Sequence, residues 1–202
     1  SSDLLAELDV VDERVRAAEE LAGGGIDILV NNTGGPPPGG VLGHELEVWE
    51  THFRSMVLSV IAITDRVVPG MRERGWGRVI TSTSSGIVAP IPGLGLSNAL
   101  RSTLVGWSKT LAGQVAGDGV TANVVVPGRI TTDRTAFLDA SRAEREGRPV
   151  EEVAAESRAT IPAGRYGEPH EYGQTVAFLA SVPAAYVTGS VVRVDGGLVA
   201  AI

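Results

Sequence analysis

"IDILVNNTGG", Ile26 to Gly35, is the stretch on which the fold turns. A short continuous apolar run stops at two asparagines, a threonine and two glycines, as a strand buried on both faces does when it ends at a turn. Before it, Val11, Val15, Ala18 and Leu21 lie on one side of a helical pattern with charges opposite. After it, Glu45 to Met71 carries Trp49, Phe53, Val57, Val60 and Val67 at helical spacing. Further strands are read in "GRVITSTSS", "GVTANVVVPG" and "GSVVRVDGG", and further helices in "LSNALRSTLVGWSKTLA" and "EPHEYGQTVAFLAS". Strands alternating with helices of this length predict βαβ crossovers, hence an α/β fold with a parallel sheet and helices on both faces.

In such sheets ligands sit beyond the carboxyl ends of the strands. That rule selects "NNTGG" (Asn31 to Gly35), "TSTSS" (81–85), "PGRITT" (Pro127 to Thr132) and "DGG" (195–197). Each is rich in residues that end strands and let a main chain approach a ligand closely.

Composition narrows the functions. With 202 residues, 43% of them hydrophobic, the chain has enough apolar material for one core, and a single domain over 1–202 is expected. The net charge of −7 argues against nucleic-acid binding, which needs clustered cations. No run of about 18 apolar residues predicts a membrane span, and the first residues lack a secretory pattern, so a cytoplasmic protein without membrane association is expected. The absence of cysteine rules out disulfides, thiolate metal sites and a cysteine nucleophile, and no metal site is expected. Lys109 is the only lysine beside sixteen arginines.

One helix raises a chemical question. Ser97 and Arg101 stand four residues apart on the edge of the stripe formed by Leu100, Leu104, Trp107 and Leu111. In order and spacing, "NNTGG", the serine-rich strand end, this helix, "VTANVVVPGRITT", "RYGEP" and "YVTGSVVRVDGG" resemble the short-chain dehydrogenases/reductases over nearly the whole chain, and most the 3-oxoacyl-carrier-protein-reductase-like branch.

The resemblance implies a Rossmann-type three-layer sandwich that binds NAD or NADP. It implies hydride exchange with a small carbonyl or alcohol substrate, and assembly as a homotetramer or homodimer. In that family an Asn, Ser, Tyr, Lys tetrad does the chemistry. Twelve residues separate Ser84 from Ser97, which puts Ser84 at the serine position. Ser97 then takes the tyrosine position, Arg101 the lysine position and Met56 that of the asparagine. The expected catalytic set is therefore Ser84, Ser97 and Arg101. Expected cofactor contacts are Asn31, Asn32, Thr33, Gly34, Pro127, Gly128, Ile130 and Thr132, with Asp9 in an adenine-facing "ELDV" motif. The family's opening strand, glycine-rich turn, helix and second strand are not in this sequence, and a trimmed copy of a longer protein is expected. Residues 131–165 are expected to form a substrate-covering lobe, whose run from Asp133 to Arg158 reads from its charges as a solvated helical flap, with Arg129 and Arg134 placed to meet an anionic substrate.

An aliphatic hydroxyl is a far weaker acid than a phenol, so Ser97 replaces a proton donor poorly, whereas Arg101 stays charged and can stabilise negative charge. Lys109 lies twelve helical residues from Ser97, about 18 Å, too far to stand in. His44, His52 and His170 read as surface or loop histidines, with His44 kept in view as a relocated acid, and Tyr166, Tyr172 and Tyr186 as packing residues. Three functions stay open: an oxidoreductase whose proton comes from water or substrate, a catalytically weak or inactive homologue that binds ligand or assembles, and non-redox chemistry on an anion.

Overall fold

The computed structural model describes residues 8–201. A 3-10 turn, Leu8–Val10, leads into α1 (Val11–Ala22), followed by β1 (Ile28–Asn31). Next come α2 (Leu46–Phe53) and α3 (Ser59–Glu73), then β2 (Gly77–Ser82) and α4 (Gly95–Val115). The chain continues through β3 (Val120–Pro127), α5 (Asp133–Glu146), α6 (Val150–Ala159), α7 (Pro169–Ala180) and β4 (Val191–Val194). The strands form one parallel sheet in the order β1-β2-β3-β4. Each crossover carries at least one helix, as parallel neighbours require.

The period of two along the strands sorts the side chains into two cores. Val79 of β2 and Val120 and Ala122 of β3 face α1, α3 and α4, where they meet Val15, Val67, Met71, Ala112 and Val115. Ile80 and Val125 face the opposite way, onto Leu179 and Val176 of α7. Both faces of the central strands are therefore covered, which is why they read as nearly continuous apolar runs. A third cluster joins α3 to α4 through Met56, Val57, Val60, Leu100 and Leu104.

Two expectations need correction here. β1 is not buried on both faces: Leu29 packs on the α3 side, but Ile28 and Val30 are 45% and 46% exposed, because β1 is an edge strand and α7 covers only β2 to β4. Nor is 45–71 one regular helix. Between α2 and α3 the chain makes a π turn, Arg54–Leu58, which turns Met56 and Val57 into the core. Single π turns of this kind are frequent beside functional sites.

Candidate active site

The carboxyl ends of β1, β2 and β3 open into one cavity of about 860 Å³. Its wall includes Ser84, Ser97 and Arg101, and also Asn32, Thr33, Gly34, Pro127, Gly128, Ile130 and Thr132. Ten of the twelve residues singled out from sequence therefore meet around one space. The two others do not. Asn31 ends β1 with its side chain on the α3 side, where its amide donates to Thr64 Oγ1 at 3.1 Å. The alternation of the strand sends it into the core and leaves the cavity to Asn32. Asp9 lies in the Leu8–Val10 turn, and its side chain is outside the described residues.

Local hydrogen bonds hold the wall in place. Ser84 caps the turn after β2, its Oγ accepting from the Gly86 amide at 3.2 Å. Asn98 at the start of α4 donates to the Ile91 carbonyl at 2.9 Å and accepts from the Ile91 amide. The proline loop is tied to the same place, with Gly39 donating to Gly93 and Gly95 donating to Gly39. These bonds lay the strand-ending turn over Arg101, whose Nη2 donates to the carbonyls of Thr33 (3.3 Å) and Gly34 (2.8 Å) while Nε reaches Ser97 Oγ at 3.4 Å.

Ser97 and Arg101 are both buried rather than marginal. Burial first, and the like charge of Arg134 second, draw the Arg101 guanidinium down to about 10, so it is still a cation at neutral pH. Of the two arginines expected to meet an anion, only Arg134 is uncommitted to an acid. Arg129 is spent on Asp139, at 2.8 Å.

The tyrosines depart from their expected packing role. Tyr186 is fully exposed, and Tyr166 donates to Asp139 Oδ2 at 2.6 Å inside the lobe. Tyr172, however, lines the cavity, and its hydroxyl shares a 2.7 Å hydrogen bond with Ser82 Oγ at the end of β2. Burial pushes this phenol up from its ordinary value, against the smaller opposing pulls of Ser82 and of the Arg101 charge. Its distance from Ser97 in the chain gave no sign of this. α7 lies across β2 in the folded sheet, and that crossing returns the side chain to the site. None of the three histidines lines the cavity; His44 faces the Gly40 carbonyl at 3.0 Å. Lys109 lies outside it too, donating to Gly189.

Close main-chain approach sets one wall. A Cβ on Gly128 would stand 2.6 Å from Asp195 Cα, a backbone atom that cannot swing aside. Gly128→Ala should therefore cost about 1–3 kcal/mol of unfolding free energy, read in urea. An unchanged midpoint would mean that the turn carries no such constraint.

A family model described as enoyl-(acyl carrier protein) reductase matches residues 5–199. The 3-oxoacyl-[acyl-carrier-protein] reductase of Vibrio cholerae is 36% identical over 177 residues, covering 87% of this chain and 67% of the relative. That of Escherichia coli K12 is 36% identical over 195 residues, 96% of this chain and 73% of the relative. Among solved structures, an actinorhodin polyketide ketoreductase with NADPH superposes with a TM-score of 0.90 at 31% identity, covering 96% of this chain and 75% of that one. An L-sorbose reductase from Gluconobacter frateurii, complexed with NADPH and L-sorbose, gives 0.89 at 29%, with coverage of 98% and 75%. The fold is thus a Rossmann-type α/β sandwich. This chain belongs to the short-chain dehydrogenase/reductase family and is 3-oxoacyl-carrier-protein-reductase-like.

Proposed function

We propose that the chain is an NAD(P)-dependent oxidoreductase that reduces a ketone or 3-oxoacyl group, or oxidises the alcohol, with a catalytic set different from the family's usual one. The observation that carries this reading is the meeting of Ser84, Ser97 and Arg101 with three strand-ending turns around a single cavity. The wall fits a nicotinamide cofactor. Thr33 Oγ1 is buried without a partner, and a Cβ on Gly34 would meet nothing within 4 Å, so the turn offers an unspent polar atom and free space. Asn32, Thr33, Gly34, Pro127, Gly128, Ile130 and Thr132 would hold the cofactor. When bound, it supplies or accepts the hydride.

The protein's own groups do the rest. The hydroxyls of Ser84 and Ser97 orient the carbonyl oxygen by hydrogen bonds. Arg101 stabilises the negative charge that develops there, in a setting where burial strengthens the interaction. The proton comes from Tyr172, the one phenol in the cavity wall, and is replaced from solvent. This assigns to a side chain a step that the sequence left to water or substrate. Residues 131–165, folded as α5 and α6, form the lobe over the substrate. Assembly as a homodimer or homotetramer in the cytoplasm completes the reading, and the exposed apolar side chains Phe178, Val182, Tyr186 and Val191 are the surface such contacts would bury. Separately, no helix among the described residues is long and apolar enough to cross a membrane.

Fluorescence titration with NADH and NADPH, followed by assays on ketones and β-keto thioesters, tests the reading. Binding of one cofactor with turnover is expected. Failure of both to bind would overturn it, and binding without turnover would instead favour a ligand-binding homologue.

A further inference from the structure

Arginines elsewhere on this acidic protein are mostly paired with carboxylates. Arg66 meets Asp12 and Glu19, Arg72 meets Asp118, Arg142 and Arg148 meet Glu146 and Glu156, and Arg165 meets Glu171. Arg78 lacks an acid, but its donors go to the carbonyls of Gly77, Gly119 and Ser181 and its plane lies over Trp76. It is the second residue of β2, at the end of the strand away from the cavity.

Arg101 and Arg134 are different. Both line the cavity, and among the described residues no Asp or Glu lines it with them. Their Nη2 atoms stand 3.5 and 3.3 Å from the point where a Cβ on Gly35 would lie, so two like charges converge on one spot. Their described hydrogen bonds go to main-chain carbonyls of Thr33, Gly34 and Pro36 and to Ser97 Oγ, and Arg134 also lies over the Phe137 ring, 5.5 Å from its centroid. That leaves Nη1 of Arg101, and Nε and Nη1 of Arg134, without a partner among the described residues. Two adjacent cations, Arg101 buried and Arg134 half-buried, with donors to spare and no acid beside them among the described residues, cost free energy that a bound anion recovers. A guanidinium fork matches a carboxylate in particular, since two parallel N–H donors meet its two oxygens.

We infer that the substrate is an anion, a keto acid or its hydroxy acid, whose carboxylate is held between Arg101 and Arg134. This rests on the oxidoreductase reading for the word substrate and not for the binding itself, so the two are tested separately.

Acetoacetate and methyl acetoacetate share the ketone and differ in charge. Calorimetry on the intact protein, with and without NADPH, should show acetoacetate bound about 10- to 100-fold more tightly than the ester. Arg134→Met should cut the ratio of acid to ester affinity about tenfold, and Arg134→Lys should restore part of it. Equal affinity for acid and ester would overturn the inference, as would a preference that Arg134→Met leaves undiminished. A preference without any turnover of acetoacetate upholds the anion site and counts against the oxidoreductase reading alone. Faster turnover of the ester, with no preference in binding, does the reverse.

Discussion

Tyr172→Phe should lower the turnover number for ketone reduction by about 10²- to 10⁴-fold, or roughly 3–5 kcal/mol of barrier, with little change in KM. The substitution removes one oxygen and keeps the ring on α7, so its packing against Ile80 and Val125 survives. What goes is the only phenolic proton in the cavity and the hydrogen bond with Ser82. A residue that merely packed there would leave the rate within a few-fold, and that result would return the proton to water or substrate. The pH profile gives a second reading. Because burial raises the phenol above its usual value, Tyr172 stays protonated through neutrality, and reduction should hold steady across the neutral range. Arg101 loses its charge at about 10, so loss of alkoxide stabilisation sets in first and the falling limb should be steep. A fall beginning near pH 7 would point to a different acid.

Asp139→Ala is expected to be the most costly substitution for stability, by about 3–5 kcal/mol. The carboxylate is buried on α5 and accepts from Arg129 at 2.8 Å, from Tyr166 at 2.6 Å and, more weakly, from Ser157 at 3.4 Å. It thereby ties α5 to α6, to the turn after β3 and to the segment that enters α7. Truncation strands the Arg129 cation and two hydroxyl donors together, which costs more than the net worth of the bonds themselves. Urea unfolding measures the loss, and limited proteolysis should cut first between Asp133 and Thr160. A loss below about 1 kcal/mol would show that the lobe is held by Ala143 and Val153 alone. The charge-rich run is thus no simple solvated flap. Its exposed face is a web of arginine and glutamate, but a carboxylate sits at its centre.

How much of the site was legible depended on whether a residue's role is set by its own strand end or by a neighbour. Thr33, Gly34, Gly128 and Ile130 were readable because a parallel strand that stops in small and polar residues delivers them to the sheet's carboxyl edge wherever the strand lies. Asn31 and Asn32 differ by one position, and the strand's period of two sends one to Thr64 and the other to the cavity. The apolar run alone does not fix that phase. The pairing of Ser97 with Arg101 followed from helical spacing, but the burial that draws the guanidinium down needed the Thr33 and Gly34 carbonyls, which lie more than sixty residues away in the chain.

The sequence by itself determined the alternation of strand and helix, the parallel sheet, and the three turns after β1, β2 and β3 that open on one cavity. These are local properties: hydrophobic period, turn chemistry and residue type act over a few positions and need no partner. Only the tertiary structure decided that Ile28 and Val30 lie open on an edge strand, that Tyr172 returns to the cavity from α7, and that Arg101 and Arg134 meet without an acid between them. Those depend on which elements the sheet order lays side by side, because burial and charge repulsion are set by distance in space, and residues 75 positions apart become neighbours only when the crossovers close.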